Sequence, residues 1–216
     1  MEAETPGKVA ARVAALERAR GVEVVTASIA KADVYPELPW RAGALAASMT
    51  ALVVAIGDVL RPDWVTSTTL LVALATVMIV GAGVSLAAIF VAPFARLFLS
   101  KARAEVEVRQ FARAFFLERQ LFRTRRRLGV LILIARFEHR VEVVADIGYD
   151  GRIAAAEWGS VIPPMLPLLR EGRADDALVA ALDALDALLA SRGFAGDGSA
   201  PNELPDATLH EEESDR

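Results

Sequence analysis

"RRRLGVLILIARFEHRVEVVADIGYDG", residues 125–151, is where the reading of this chain is decided. Its apolar run, Gly129 to Ala135, is seven residues long, with Arg127 two positions before it and Arg136 directly after. A helix needs about 20 apolar residues to cross a bilayer, so this run is too short to be membrane. It reads instead as a strand buried on both faces: short, rich in Leu and Ile, bounded by glycine and charge. The next run, "HRVEVVADI" (139–147), alternates. Val141, Val143, Ala145 and Ile147 fall on one face, and Arg140, Glu142, Val144 and Asp146 on the other. A period of two predicts a strand with one face more exposed. Residues 136–138 between the two runs fit a hairpin turn. The stretch therefore belongs to a water-soluble α/β domain.

Working outward, residues 8–20 read as a helix stopped by Gly21, and the β-branched run 21–30 as another strand. Residues 96–127 have helical character, with Val108, Phe111, Phe115, Phe116 and Phe122 forming an apolar stripe among arginines. Residues 153–169 read as a helix interrupted around Pro163-Pro164. Residues 174–191 read as an amphipathic helix, Leu178, Leu182, Leu185 and Leu189 inward, Asp183 and Asp186 outward. Asp175 and Asp176 suit its N-terminus and Gly193 its C-terminus. The tail, 194–216, is polar and acidic, a composition that predicts disorder.

Between the first strand and the rest lies a different kind of sequence. Hydrophobic residues make up 54% of the chain, and the mean hydropathy of +0.38 is high for a soluble domain. Residues 42–57 carry no charge, and neither do residues 64–95. With their flanks they predict two spans, about 41–60 and 69–92, with Pro93 marking an exit or kink. Trp40 and Trp64 stand where interfacial aromatics are expected. Two buried core helices are the alternative, which so long an uncharged run disfavours. A signal peptide does not fit, because some 40 mixed residues precede the first span. Lys31 and Arg41 before the hairpin and Arg96, Lys101 and Arg103 after it place both ends in the cytoplasm of an inner (cytoplasmic) membrane. The pairs Gly43/Ala47, Gly81/Ser85 and Gly83/Ala87 have the small-residue spacing that lets helices approach closely. The division is thus 1–38, first part of the soluble domain; 40–95, membrane hairpin; 96–193, the remainder; 194–216, tail.

Charge is segregated. Residues 95–127 hold 10 basic against 3 acidic groups, and residues 128–216 hold 7 against 17. Arg119, Arg123, Arg125, Arg126 and Arg127 form the densest run. The acidic sequence beyond it argues against a nucleic-acid site and for pairing within the domain. No Cys is present, and the two His are far apart. Thiolate metal sites, cysteine nucleophiles and disulfides are excluded, and a serine–histidine triad has little to work with.

The element order, with "GVLILIARFEHRVEVVADIGYDGRIAAAEWGSVI" and "LREGRADDALVAALDALDALLASRGF", resembles the TPM domain family, and within it the bacterial membrane branch in which two spans split the domain. The resemblance covers roughly residues 8–193. It implies an α/β fold: a sandwich with a small mixed sheet flanked by helices, split by the transmembrane hairpin. It also implies three kinds of activity seen across the family: divalent metal binding, phosphatase activity, and service as an accessory partner of receptors.

Two groups of residues are candidate sites. Asp146 and Asp150, with Glu157 and more weakly Asp33 beside them, are the carboxylates a Ca²⁺ or Mg²⁺ ion would use around a glycine turn. The plain alternative is solvated turn residues and a helix-entry acid. If the first two strands are parallel, the turn after residue 135 points toward the bilayer, and Arg136, Phe137 and Arg140 touch anionic headgroups. An ordinary hairpin turn is the plain alternative there. The expected function is an accessory or scaffold component of a membrane complex, in contact with the lipid bilayer and a membrane protein partner; the alternative is a metal-dependent phosphatase.

Overall fold

The structure, a computed structural model, describes residues 7–60, 66–196 and 209–211. The chain divides into two compact units, one formed by residues 1–32 and 105–216, the other by residues 33–104.

The first unit is built on a mixed sheet. Helix α1 (Lys8–Arg20) is stopped by Gly21, whose φ of 63° suits a residue without a Cβ. Strand β1 (Glu23–Ile29) comes next. After the second unit the chain returns along α5 (Lys101–Glu118), then forms β2 (Gly129–Ala135) and β3 (Arg140–Ala145). β1 and β2 are parallel, Glu23 opposite Gly129 and Ile29 opposite Ala135. β2 and β3 are antiparallel, Val130 opposite Ala145 and Ala135 opposite Arg140. A three-residue strand, β4 (Leu209–Glu211), extends the sheet at the β1 edge, giving the order β3-β2-β1-β4.

Alternation along β2 explains the layers. Val130, Ile132 and Ile134 pack into one core with Val13 and Leu16 of α1 and with Leu178, Leu182, Leu185 and Leu189 of α7 (Ala174–Ser191). Leu131, Leu133 and Ala135 pack on the other side with Val108, Ala112, Phe115 and Phe116 of α5. Every β2 residue is buried, so the continuous apolar run is what a strand covered on both faces requires. β3 is the edge strand and all its residues are half-buried. The α/β sandwich read from the sequence is the observed fold.

Two readings need correction. β3 ends at Ala145, and Ile147 lies beyond it at 61% exposure rather than on the inward face. The helix expected over 153–169 does not form. A 3-10 turn at Glu157–Val161 and a short α6 (Met165–Arg170) stand in its place. Pro163 and Pro164 cannot donate in a helix interior, and Glu157 Oε2 takes the Ala154 N–H at 2.8 Å, which closes a turn there. The disorder expected of the tail falls, for residues 197–208 and 212–216, outside the described residues.

The second unit is a helical hairpin, α2 (Glu37–Leu60) and α3 (Ser67–Phe90), then the short α4 (Ala92–Ala95) with Pro93 in its first turn. Both long helices have the length and composition to cross a membrane, and only 6% of each apolar window is buried. A core helix of a soluble protein would be mostly covered. The helices touch through small residues: a Cβ on Gly81 would meet Ala47 Cβ at 3.1 Å, and one on Gly43 would run into Ser85 Oγ and Gly81 O. Ser85 Oγ donates to Pro39 O at 3.0 Å. Two of the three small-residue pairs thus form the seam of the hairpin itself. Gly83, in the third, meets nothing within 4 Å.

Candidate functional site

The two ends of the sheet carry the residues singled out above. At the end where β1 and β2 begin and β3 finishes lies the corner Asp146–Gly151. Asp146 is buried, and its carboxylate is committed. Arg127 Nε donates to Oδ2 at 2.7 Å and Arg127 Nη2 to Oδ1 at 2.9 Å. Oδ1 also accepts the Ile147 N–H at 2.8 Å, so Asp146 caps the 3-10 turn of residues 147–149. Gly148 N–H donates to Arg127 O at 3.0 Å, and a Cβ at Gly148 would collide with the carbonyls of Arg126 and Arg127. Only glycine fits that approach.

Tyr149 completes the corner. Its hydroxyl donates to Leu128 O at 2.9 Å, and its ring stands edge-on to Trp158 at 5.0 Å and tilted to Phe194 at 5.3 Å. Burial raises the phenol well above its usual range, so it stays protonated and remains a donor. Asp150 is exposed, just past the 3-10 turn. Glu157 is bound elsewhere: its pKa is lowered first by the Ala154 N–H and then by Arg192. Asp33 pairs with Arg103 at 3.2 Å. Among the described residues no three His, Asp or Glu side chains gather as a metal-ligand group. Around the glycine corner, acid, glycine and tyrosine each lock the segment after β3 onto the residues that lead into β2.

The arginine run is likewise used inside the domain. Arg126 Nη1 donates to Gly21 O at 3.3 Å, Arg123 Nη1 to Gln120 Oε1 at 2.7 Å, and Arg119 lies 5.3 Å above the Phe115 ring.

At the opposite end lies the turn 136–139. Arg136 N–H donates to Ile29 O at 3.0 Å and Phe137 N–H to Ala30 O at 2.9 Å, tying the turn to the end of β1. Lys31 Nζ sits 5.0 Å over the Phe137 ring. Arg140 Nη2 lies 3.6 Å from Glu105 Oε2. Arg136 is exposed, Phe137 and Arg140 half-buried. Both points where the chain leaves and re-enters this unit, after Ala32 and at Glu105, are therefore at the end that carries Arg136, Phe137 and Arg140.

Two residues here escaped sequence reasoning. Glu138 is buried, and its Oε1 accepts the Ala32 N–H at 2.9 Å while its Oε2 has no hydrogen-bond partner among the described residues. Glu17 is buried on α1 and accepts the Val24 N–H at 2.8 Å. Glu17 had a signal, since it falls on the apolar stripe of Val9, Val13 and Leu16. Glu138 had none, because acids are ordinary in turns.

Comparison with known proteins agrees with this architecture. A sequence model of the TPM domain matches residues 87–188. No curated protein matches the chain. The NMR structure of the BA42 protein from the psychrophilic bacterium Bizionia argentinensis is similar in fold, with a TM-score of 0.54 at 11% identity, over 94% of this chain and 90% of that one. The matched residues begin near the end of α3 and stop short of the end of α7, so they omit α1 and β1, which the hairpin separates from the rest of the domain.

Proposed function

We propose, on the premise that this chain carries a TPM domain over residues 87–188, that it is an integral membrane protein of the inner (cytoplasmic) membrane. Its hairpin crosses twice, both ends lie in the cytoplasm, and the domain serves as an accessory or scaffold component of a membrane complex with a membrane protein partner. The observation that carries this reading is the insertion itself. Two 24-residue apolar helices, joined by a short connection, interrupt a domain whose own core is complete without them. An even number of spans returns the chain to the side it left, and the basic residues cluster on that side.

The turn 136–140 is the surface assigned to anionic headgroups, with Arg136 exposed and Phe137 and Arg140 half-buried beside it. Its support is the exit of the chain at the same end of the sheet.

A scaffold is favoured over a metal-dependent phosphatase by what the carboxylates already do. To hold Ca²⁺ or Mg²⁺, Asp146 would have to release Arg127 and the Ile147 N–H, leaving Asp150 as the exposed acid of the pair. Calorimetric titration of the full-length protein in detergent with Ca²⁺ and with Mg²⁺ separates the readings. Saturable micromolar binding that Asp146→Asn and Asp150→Asn both abolish would replace the scaffold by the metal site.

Topology is tested separately. The chain has no Cys, so single cysteines report without background. Ser191→Cys should react with a membrane-impermeant maleimide only after cells are opened, and Ser67→Cys in intact spheroplasts. Labelling of Ser191→Cys in intact spheroplasts would overturn the assignment.

A further inference from the structure

The apolar surface of the second unit does not stop where its long helices stop. Val91 breaks α3, with a φ of −115° and a ψ of 89°, while its N–H still donates to Ala87 O at 2.9 Å. If α3 ran on, Pro93 would have no N–H for the Ile89 carbonyl, and its ring would clash there. Instead α4 starts afresh at Ala92, and a 3-10 turn over Arg96–Phe98 follows it directly. Both pieces pack against α2.

This segment has two sides. Ala95 is buried, Phe94 and Phe98 are half-buried with their rings edge-on at 5.4 Å, and Leu97 is 77% exposed. Phe90, just before the break, is also 77% exposed. On the facing helix Trp40 is 75% exposed. It follows Pro39, whose carbonyl accepts from Ser85 Oγ, so it stands at the same end of the hairpin. Basic residues are interleaved with these apolar ones. Arg41 is exposed next to Trp40, and Arg96 lies next to Leu97 with its Nε on Ala92 O at 3.5 Å. Aromatic rings with basic residues beside them suit the border between acyl chains and headgroups. The patch continues the exposed apolar surface of α3, where Ile79, Leu86 and Ile89 lead up to Phe90, so the lipid that covers one covers the other.

We propose that residues 91–98 are a membrane-surface foot. The segment does not span. It lies in the acyl–headgroup border of the leaflet that Trp40 marks, with Phe90 and Leu97 toward the acyl chains and Arg41 and Arg96 toward lipid phosphates. The foot presupposes the membrane-spanning reading and adds where the bilayer ends on the hairpin. Bent across the base of the hairpin, it holds the two long helices at a fixed depth.

Spin labels on single cysteines test it, in the full-length protein in nanodiscs of phosphatidylethanolamine and phosphatidylglycerol. Leu97→Cys reports the foot, Leu71→Cys the exposed surface of α3, and Leu117→Cys the exposed surface of α5 in the first unit. Each label is read for collisions with oxygen, which enters lipid, and with a nickel chelate, which stays in water. Leu71 should be shielded from nickel and open to oxygen, and Leu117 the reverse. Leu97 should collide with nickel roughly threefold less than Leu117 while keeping access to oxygen, as a side chain about 5–10 Å into the headgroup border does. Leu97 as open to nickel as Leu117, with Leu71 shielded, overturns the foot and leaves the spans standing. Leu97 closed to both reagents means a protein covers it, and overturns the foot as well. Leu71 as open to nickel as Leu117 overturns the spans and the foot with them.

Discussion

Asp146 and Asp150 stand four residues apart in one turn, yet one is buried against Arg127 and the other is exposed. Their substitutions should differ accordingly. Asp146→Ala leaves the Arg127 guanidinium and the Ile147 N–H without their acceptor and should cost about 2–3 kcal/mol of unfolding free energy, the scale of hydrogen bonds to a charged group. Asp150→Ala should stay within about 0.5 kcal/mol, as surface changes do. Denaturant unfolding of both full-length variants in the same detergent measures the contrast, and equal losses would show that Asp146 does not hold the corner. From sequence, both acids were equally attractive as ligands. Only the fold shows that the basic residue nineteen positions earlier has taken one of them.

The packing of elements rests on two kinds of seam. Between α1 and α7 it is ionic at the surface: Arg12 reaches Asp183 at 2.6 Å and Asp186 at 2.8 Å, Arg20 reaches Asp186 at 2.5 Å, and Lys8 pairs with Asp176. Asp176 titrates below the ordinary range because of the Lys8 hydrogen bond and then that of Arg173. At Asp186 burial pushes upward, and the hydrogen bonds of Arg12 and Arg20 outweigh it, so the net shift is also downward. Carboxylates whose pKa falls on folding stabilise fully above their unfolded value, about 3.9 for Asp, and lose that contribution as the pH drops through the folded value. The thermal midpoint of the parent should therefore fall more steeply below about pH 4 than that of Asp186→Asn. Parallel acid limbs in the two proteins would remove this seam from the account. Between α2 and α3 the seam is steric. Gly43→Leu should force the helices apart and cost about 1–3 kcal/mol by overpacking, whereas Gly83→Ala, which meets open space in a helix interior, should not lower the thermal midpoint.

For the whole molecule, the chain leaves the first unit after Ala32 and returns to it at Glu105, both at one end of its sheet. If the 136–140 turn meets lipid, its backbone exchange in nanodiscs should be slower with anionic than with zwitterionic lipid. Arg136→Glu should abolish the difference, and salt should weaken it over a Debye length of about 10 Å at 0.1 M. Identical exchange in both lipids would leave the turn as an ordinary hairpin connection.

Sequence by itself determined the period-two and continuous apolar runs that became β3 and β2, the amphipathic α7 with its four inward leucines, and the two long apolar helices. Each of these is set by local periodicity and length, which do not depend on distant partners. Only the tertiary structure decided the parallel register of β1 and β2 across the inserted hairpin, the commitment of Asp146 to Arg127, the burial of Glu17 and Glu138, and the closure of the β1 edge by residues from the far end of the chain. Those depend on which groups meet in space, and an exposed acid and a buried one are spelled alike.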